Sequence, residues 1–275
     1  MTELMTKSDL QSTFQTDGYV IHAEPLLPAN LVQGAIAGMD AIRNGVYDTG
    51  LPPRPSPWKP GDDPNQLCKI ESPQFASYAI RELINAPALG EWCAAATGAE
   101  AVQIWWIQLL YKPPVVPDTV AKTNVGMHQD WTYWQRTWAD GSELFTAWVA
   151  LSNVTAESGP MKFVRGSHQW GDLAESDFFE QNLEAQVRKI RASTERQWEE
   201  TAAILAPGGV SLHDKLTWHG SGPNTSNGPR RSFAIHMRTQ NSAPRDGIRR
   251  GLTEFITDFE LCPVIYGDRA LMKMN

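Results

Sequence analysis

The spacing of hydrophobic positions along the chain changes near residue 100. Before that point apolar side chains recur mostly at helical spacing, and Gly18, Gly45 and Gly98 stand where such helices would end. One short strand is predicted at 19–21, and helices are predicted at 8–16, 28–43, 74–83 and 86–97. The chain up to roughly residue 98 is therefore expected to be mainly helical.

Beyond residue 100 the apolar segments are short, and turn sequences such as ESGP (157–160) and APGG (206–209) separate them. The first of them, AVQIWWIQLLYK (101–112), is a long strand rich in aromatic side chains. Further strands are predicted at 125–131, 143–152, 161–165, 202–206, 209–213, 216–219, 231–239 and 262–266. Short strands at close spacing are typical of an antiparallel barrel or jelly roll.

These patterns predict a fold that is mainly β with packed helices. A single domain is expected over residues 1–275, with a helical N-terminal part at roughly 1–98 and a barrel core at roughly 101–266. The fold class follows from where the helices and strands lie along the chain, since the helices precede the strands.

Two segments interrupt the regular pattern. The first, LPPRPSPWKPGDDPN (51–65), contains six prolines and cannot be a helix or a central strand. It is either a lid over an active site or a surface excursion, and both interpretations remain open. The second, at roughly 172–200, is acidic and helix-like and is predicted to cover an edge of the barrel.

Composition and charge narrow the classes of function. The formal charge of −7 gives no basic surface for nucleic acid or an acidic membrane, and no apolar run approaches the length of a membrane span. The polar start MTELMTKSDLQ does not resemble a secretion signal. Cys68, Cys93 and Cys262 are odd in number and widely spaced, which favours reduced, buried thiols in a cytoplasmic protein.

A candidate metal site begins in MHQDWTYW (127–134), where His128 and Asp130 stand two residues apart. In a strand, such residues point to the same face and can converge on one ion. A third ligand is needed, and His219, before a glycine-rich turn, is the best candidate among the six histidines. Two histidines and one carboxylate on one face suit non-haem Fe(II), although zinc could take the same ligands.

Arg230 lies eleven residues after His219, in HGSGPNTSNGPRR (219–231). A turn at 222–229 would bring it onto the strand beside His219. A guanidinium grips a carboxylate with two hydrogen bonds. Arg230 is therefore predicted to bind an acidic co-substrate next to the metal.

Four segments follow one another in a distinctive order: QLLYKPP (108–114), MHQDW (127–131), ESGPMKFVRGSHQWG (157–171) and HGSGPNTSNGPRR (219–231). Together they resemble the phytanoyl-CoA dioxygenase family, which consists of Fe(II)- and 2-oxoglutarate-dependent oxygenases on a double-stranded β-helix, a jelly roll of the cupin type. The resemblance covers roughly residues 8–240, and the combination of motifs is far more specific than any one of them.

The resemblance implies a catalytic iron held by His128, Asp130 and His219. It also implies that 2-oxoglutarate and O₂ are consumed and that a small organic metabolite is hydroxylated, with release of succinate and CO₂. Halogenating relatives lack the carboxylate ligand, which Asp130 supplies here.

The resemblance further assigns four residues to 2-oxoglutarate. Arg230 would bind its distal carboxylate, Ser221 would support that carboxylate, Trp148 would line the co-substrate, and Gln108 would contact it from the strand before KPP.

The other histidines have simpler interpretations. His213 remains a rival ligand, because it could also face inward, whereas His236 is expected to be buried and hydrogen-bonded. His168 is predicted to be structural, and His22 to lie outside the site. Arg231 is expected to point away from Arg230, toward solvent, in a regular strand.

Six of the eleven tryptophans fall between residues 105 and 148 and predict an apolar or aromatic substrate. Of these, Trp134 is the candidate for the substrate pocket. Two alternatives to an oxygenase stay open: a non-catalytic small-molecule-binding relative, and a zinc-dependent cupin-like enzyme. The substrate and the oligomeric state cannot be read from the sequence.

Overall fold

Two antiparallel β-sheets face each other, and helices pack on the outside of the larger one. The structure is a computed structural model that describes residues 6–115, 123–173, 175–247 and 249–272. The α-helices are α1 (Lys7–Asp17), α2 (Ala29–Arg43), α3 (Tyr78–Ile84), α4 (Pro87–Thr97), α5 (Trp131–Trp134) and α6 (Leu183–Ala192). The strands are β1 (Tyr19–His22), β2 (Cys68–Glu71), β3 (Val102–Lys112), β4 (Val125–His128), β5 (Leu144–Ala150), β6 (Met161–Val164), β7 (Glu200–Ala202), β8 (Val210–Asp214), β9 (His219–Ser221), β10 (Arg230–Thr239) and β11 (Val264–Tyr266).

The larger sheet has seven strands in the order β1-β8-β5-β10-β3-β11, and β2 also pairs with β3. The smaller sheet has four strands in the order β4-β9-β6-β7. The prediction of a mainly β jelly roll with packed helices is confirmed. The described strands form two sheets that are not joined into one closed barrel, which corrects the expectation of a continuous barrel core.

Strand β3 shows how the sequence divides the core between two layers. Ile107 and Leu109 belong to the main apolar cluster, in which helices α2 to α4 pack against the outer face of the larger sheet. Leu110 belongs to a second cluster, between the two sheets, with Trp148 and Phe163. Because neighbouring residues of a strand face opposite sides, the sheet buries one face under helices and turns the other toward the smaller sheet.

The helices of the N-terminal part lie close to where the sequence predicts them. Helix α1 begins with a capping box between Thr6 and Asp9 and ends at Gly18, whose φ of 81° suits glycine. The helix predicted at 74–83 is instead a short 3₁₀ turn, Pro73–Phe75, followed by α3. Ser77, whose φ and ψ of −145° and 123° are extended, interrupts the helical path between the turn and α3.

Three strand predictions require correction, and one strand was not predicted. Strand β2 was not predicted, because its four residues directly follow the proline-rich segment. The strand predicted at 125–131 ends at His128, and the one at 202–206 is displaced to β7, since Leu205 makes only an isolated bridge to Val154. The strand predicted at 216–219 is a turn, because the side chain of Asp214 accepts the N–H of Leu216, and β9 starts only at His219.

The proline-rich segment runs along strand β2. The N–H of Arg54 donates to the carbonyl of Glu71 at 3.0 Å, and the N–H of Trp58 donates to the carbonyl of Lys69 at 3.4 Å. Hydrogen bonds to a strand edge hold this segment, so it is not a free surface excursion. Its role as a lid stays a prediction.

The acidic segment predicted at 172–200 is helical only in α6, and it covers the edge strand β4. The side-chain amide of Gln186 accepts the N–H of Met127 at 2.7 Å and donates to its carbonyl at 2.8 Å. The N–H of Gly126 donates to the carbonyl of Phe178. These contacts satisfy peptide groups that an open sheet edge would leave free.

All three cysteines are buried and free. Burial raises the pKa of Cys68 and of Cys262 to about 12. Within the described ranges, no helix is long and apolar enough to cross a membrane. Residues 1–5 and 273–275, the ends of the predicted domain, lie outside the described residues.

Candidate active site

His128, Asp130 and His219 meet at one point between the sheets. One ligand atom from each lies within 4.8 Å of the others, and all three residues are buried. Asp130 Oδ1 is 3.8 Å from Nε2 of His128 and 3.8 Å from Nε2 of His219. The equal distances place one carboxylate oxygen symmetrically between the two imidazoles.

Backbone pairing and a chain reversal bring the three together. His128 ends β4 and His219 begins β9, and the two are directly paired in the smaller sheet. Asp130 lies beyond the end of β4, with helical φ and ψ of −58° and −34°, immediately before α5. The prediction that His128 and Asp130 converge is confirmed, but the turn into α5 causes it, and not strand alternation.

Backbone carbonyls fix the tautomers of both histidines. Nδ1 of His128 is 2.8 Å from the carbonyl of Gly126, and Nδ1 of His219 is 2.8 Å from the carbonyl of Thr217. A carbonyl only accepts, so each Nδ1 carries the hydrogen and each Nε2 keeps its lone pair. Both lone pairs are therefore available for a metal ion.

A polar network holds the second oxygen of Asp130. The hydroxyl of Thr146 donates to Oδ2 at 2.8 Å and accepts from Nδ1 of His236 at 2.8 Å. Nε2 of His213 lies 3.4 Å from the same Oδ2. The network leaves Oδ1 to face the two imidazoles.

The charges within this cluster support metal binding at neutral pH. Burial is the main cause that lowers the pKa of His128 and of His219, so both stay neutral. Burial alone would raise the pKa of Asp130, but His219, His213 and His236 hold it well below its usual range. Two neutral imidazoles and one carboxylate are the protonation states that metal ligation requires.

Arg230 and Lys112 form a pair of buried cations beside the triad. They are directly opposite each other on β10 and β3, and both are fully buried. Nη1 of Arg230 donates to the carbonyl of Gly159, and its guanidinium carbon is 5.1 Å from the centre of the Trp148 ring. Burial lowers the pKa of Arg230 to about 9, and burial followed by the charge of Arg230 lowers that of Lys112.

Several buried polar atoms around these cations have no hydrogen-bond partner among the described residues. They are Nε and Nη2 of Arg230, Nε1 of Trp148 and Nδ1 of His213. Arg230, Trp148 and His213 line one small enclosed pocket together with the metal triad. Unpaired donors beside two buried cations fit a bound dicarboxylate, because an unpaired buried polar group costs free energy.

The other two residues assigned to the co-substrate have different positions. Gln108 lines this small pocket and the larger cavity next to it. The hydroxyl of Ser221 accepts a hydrogen bond of 2.6 Å from Nζ of Lys112. Ser221 therefore contacts the second cation and not Arg230.

A cavity of about 250 Å³ adjoins the triad and shares His128, Asp130 and Gln108 with the small pocket. Its other lining residues are Lys69, Glu71, Trp106, Tyr133, Trp134, Phe178, Phe179, His236 and Leu252. We call it the inner cavity. Trp134 and Trp106 line it as the tryptophan pattern predicts, whereas Trp105 and Trp138 are buried behind them, in an apolar cluster that also includes Trp134.

A second cavity of about 520 Å³, the outer cavity, shares Lys69, Phe178 and Phe179 with the inner one. Its wall includes residues of the proline-rich segment: Pro57, Trp58, Asp62 and Asp63. This segment therefore lines the approach to the inner cavity.

The remaining histidines mostly follow the predictions. His213 faces inward but stands outside the group of three ligands, against Asp130. His236 is buried and hydrogen-bonded to Thr146. His168 joins its turn to α1 through the carbonyl of Gln15. His22 packs against a tryptophan away from the site.

One strand placement and one side-chain prediction are wrong. The strand of Arg230 pairs with β3 and β5 in the larger sheet and not with the strand of His219; the two side chains meet across the gap between the sheets. Arg231 points away from Arg230 but pairs with Asp40 at 3.3 Å, so it does not face solvent alone.

Sequence reasoning missed Lys112, Thr146 and Lys69. Lys112 stands in the quoted motif QLLYKPP, and its position opposite Arg230 could have been inferred if the pairing of the two strands were known. Thr146 and Lys69 carry no local signal, because their roles depend on contacts between strands distant in sequence.

Comparison with known proteins places most of the chain in one family profile. The profile of phytanoyl-CoA dioxygenase (PhyH) matches residues 14–232. A protein of Stutzerimonas stutzeri named "Probable alpha-ketoglutarate-dependent hypophosphite dioxygenase" is 25% identical over 193 residues. The matched part is 68% of this chain and 62% of that protein, so the chain spans less than two thirds of the relative's length.

Two solved structures have a similar fold. The epimerase SnoN in complex with Fe3+, alpha ketoglutarate and nogalamycin RO is 21% identical, with a TM-score of 0.66 over 86% of this chain and 85% of that chain. The carbocyclase SnoK from nogalamycin biosynthesis, described as non-heme and alpha ketoglutarate dependent, is 20% identical, with a TM-score of 0.66 over 95% of this chain and 97% of that chain. At these identities the similarity establishes the fold.

Proposed function

Because the chain belongs to the phytanoyl-CoA dioxygenase family, we propose that it is an Fe(II)- and 2-oxoglutarate-dependent oxygenase. The observation that carries the proposal is the convergence of two neutral histidines and one carboxylate beside a buried arginine, Arg230, that has two unpaired N–H donors. The two histidines and the carboxylate fit iron, and the buried arginine fits 2-oxoglutarate.

His128, Asp130 and His219 are the residues that hold the iron. The fixed Nδ1–H groups direct both Nε2 lone pairs to the same point as Oδ1 of Asp130. Three protein ligands on one face leave positions open for small molecules. When bound, iron and 2-oxoglutarate together activate O₂ for oxidation of a substrate C–H bond, with succinate and CO₂ as co-products.

Arg230 binds the distal carboxylate of 2-oxoglutarate, and Lys112, whose own hydrogen bonds go to Ser221 and Gly222, adds positive charge opposite it. The free Nε and Nη2 of Arg230 donate to the carboxylate, and Trp148 forms the adjacent wall. Ser221 holds Lys112, and Gln108 reaches the co-substrate from β3. Dicarboxylate binding restores partners to the buried donors and offsets the cost of burying two cations.

The substrate is a small organic molecule that enters through the outer cavity and is hydroxylated in the inner one. The inner cavity supports this, since it shares two triad residues, and its volume of about 250 Å³ lies close to that of other small-molecule sites. Aromatic walls exclude water from the reacting centre. The complete set of His128, Asp130, His219 and Arg230 argues against a non-catalytic relative, and the position of Arg230 beside the triad argues against a zinc hydrolase.

The experiment that tests this function is a screen of metabolite mixtures with the purified protein. We expect a mass gain of one oxygen in one compound, formed only with 2-oxoglutarate, O₂ and Fe(II), with one succinate for each product molecule. Zinc in place of Fe(II) should support no turnover. Product formation without 2-oxoglutarate, or with zinc, would reject the proposal.

A cytoplasmic location is a further part of the proposal. Three free, buried thiols fit a reducing compartment. Fractionation of cells that express the protein tests it, and recovery outside the cytoplasmic fraction would contradict it.

A further inference from the structure

We propose that the substrate carries an anionic group, a carboxylate or a phosphorus oxyanion, and that Lys69 binds this group in the inner cavity. The inference rests on the proposed function only in naming the molecule a substrate. The charged pair that defines the anion site, Lys69 and Glu71, takes no part in holding iron or 2-oxoglutarate.

Strand β2 places Lys69 in the cavity. Cys68 and Ile70 point into the main apolar core, whereas Lys69 and Glu71 point to the other side and line the inner cavity. The side chains of Lys69 and Glu71 are only 13% and 12% exposed. A charged pair is therefore built into the wall of the same cavity that His128 and Asp130 line.

Both carboxylate oxygens of Glu71 already have partners in the cavity wall. Nε1 of Trp106 donates to Oε2 at 2.6 Å, and Oε1 lies 3.2 Å from Nζ of Lys69. The carboxylate is thus oriented by the protein itself. Glu71 therefore positions the ammonium of Lys69, and Lys69 is the member of the pair that is left to bind a ligand.

Lys69 has hydrogen-bond donors that its ion pair with Glu71 does not use. An ammonium carries three N–H donors, and the one ion pair of Lys69 among the described residues is with Glu71. The ring of Phe178 lies 4.3 Å from Nζ, and a ring face accepts positive charge but satisfies few donors. A partly buried ammonium with unused donors, facing a cavity, favours an anionic ligand.

The rest of the inner cavity fits the organic part of such a molecule. Trp106, Trp134 and Tyr133 supply aromatic wall, and Gln108 supplies one polar contact. Lys69 and the triad residues line the same cavity, so a molecule held by its anionic group at Lys69 shares that space with the iron site.

The outer cavity sets a limit on the charge of the substrate. Asp62 and Asp63 line it, and no arginine does among the described residues. Two carboxylates on the approach disfavour a polyanion such as a coenzyme A thioester. The substrate class is therefore a small anion with an apolar or aromatic body.

Isothermal titration calorimetry with four matched probes tests the proposal. The probes are 3-phenylpropionate, 2-phenylethylphosphonate, 3-phenylpropanamide and 3-phenylpropylamine, so that the ring is constant and the charge varies. The protein is first saturated with Fe(II) and 2-oxoglutarate in the absence of O₂, so that 2-oxoglutarate occupies Arg230. We expect the two anions to bind more tightly than the amide, and the amide more tightly than the amine. The ratio of carboxylate to phosphonate affinity identifies which anion the site prefers.

Three variants assign the preference to Lys69. Lys69→Met should weaken the binding of both anions by roughly tenfold or more, because a charge-assisted hydrogen bond is lost, and should leave the amide unchanged. Glu71→Gln should tighten anion binding several-fold, since it removes the competing charge and keeps an oxygen for Trp106. Lys59→Met is the matched control. This exposed lysine lies in the proline-rich segment that runs along β2, and it lines neither cavity.

The double variant Lys69→Met with Glu71→Gln guards against misfolding, because no charge is left unpaired. It should fold and should still lose anion binding. Tighter binding of the amine than of the anions, anion affinity unaffected by Lys69→Met, or no binding of any probe at millimolar concentration would overturn the proposal.

The same titrations on protein without iron and 2-oxoglutarate separate this inference from the proposed function. Anion binding that depends on Lys69 and not on Arg230 would stand even if the protein proved not to be an oxygenase. Confirmed oxygenase activity with anion binding indifferent to Lys69 would refute only the inference.

Discussion

The two oxygens of Asp130 have different tasks. Oδ1 lies between the imidazoles of His128 and His219, while Oδ2 accepts the hydrogen bond of Thr146. A hydrogen bond to the outer oxygen fixes the rotation of the carboxylate. Such outer contacts tune metal affinity as strongly as some ligands do.

Replacing Thr146 by valine removes this hydrogen bond and keeps the shape of the side chain. We expect the dissociation constant for Fe(II) to rise by roughly tenfold, because the carboxylate is free to rotate. Thr146→Ser retains the hydroxyl and should bind iron like the native protein. Competition with a chelator under anaerobic conditions measures both. Equal affinities in the valine and serine variants would show that the contact is irrelevant to the metal.

Neighbouring arginines provide a test of the co-substrate site. Arg230→Met should raise the dissociation constant for 2-oxoglutarate by roughly tenfold to a hundredfold, since it removes charge-assisted hydrogen bonds. Arg231→Met, one position along, should have little effect, because that side chain pairs with Asp40 on the other face of the strand. Calorimetric titration with Fe(II) present measures both constants. A larger loss in the Arg231 variant would mean that the strand register is wrong.

Among single residues, the sequence predicts the role of those that stand in a distinctive local motif. His128, Asp130, His219 and Arg230 stand beside distinctive turns and aromatics, and the structure brings their side chains to one pocket. Lys112 could not be assigned in the same way. Its neighbour Arg230 is more than a hundred residues away, and only the pairing of β3 with β10 brings the two together.

Turns between elements position the cation site. The turn at 157–160 precedes β6, and the carbonyl of Gly159 accepts the hydrogen bond of Arg230. Gly159 has a φ of +68°, and a Cβ there would lie 2.5 Å from the carbonyl oxygen of Gly222. Glycine is therefore required both by the backbone conformation and by the close approach of the turn that follows β9.

A pair of glycine variants tests this packing of two turns. Gly159→Ala should lower the free energy of unfolding by about 2 kcal/mol and the melting temperature by roughly 4–8 °C, through left-handed strain and the clash. It should also weaken 2-oxoglutarate binding, because the partner of Arg230 is displaced. Gly222→Ala should be neutral, since a Cβ there meets nothing within 4 Å. Calorimetry measures both melting temperatures, and equal values would contradict the argument.

Helices were easier to predict than short strands. The helices at 8–16, 28–43 and 86–97 have periodic apolar faces and clear ends, and each matches an observed helix within one residue at either end. Strand β2 has four residues, and β9 has three. Segments this short show no period, and hydrogen bonding across the sheet decides their extent.

For the molecule as a whole, the buried histidine cluster makes stability depend on pH. Burial is the main cause that lowers the pKa of His128, His219 and His236, the last to about 4. The unfolded chain binds protons near the ordinary value of 6.5, so it takes them up before the native state does. This contribution to stability is complete above pH 6.5 and is lost as the pH falls toward 4.

We therefore expect the metal-free protein to lose stability below about pH 6.5, with His236 accounting for roughly 3 kcal/mol of the loss by pH 4. His236→Asn should flatten that part of the profile. Thermal unfolding at a series of pH values measures both. An identical slope in the variant and the native protein would contradict the assignment to His236.

Whole-chain organisation was predicted well from the order of motifs. The resemblance covers roughly 8–240, and the family profile matches residues 14–232. The assignment of each strand to one of the two sheets was not predicted, because it depends on which strands pair, and that is set by packing of side chains far apart in sequence. For the same reason, the charged pair Lys69–Glu71 of the inner cavity was not predicted from the sequence.

The most direct test of the central claim is an anaerobic titration of the protein with Fe(II) and 2-oxoglutarate, followed by visible absorption. Iron and the keto acid bound together at one site give a charge-transfer band that neither gives alone. The account predicts this band in the native protein, its loss in His219→Ala, and its appearance only at higher 2-oxoglutarate concentrations in Arg230→Met. A band of equal strength in the native protein and in His219→Ala, or no band at saturating concentrations in the native protein, would contradict it.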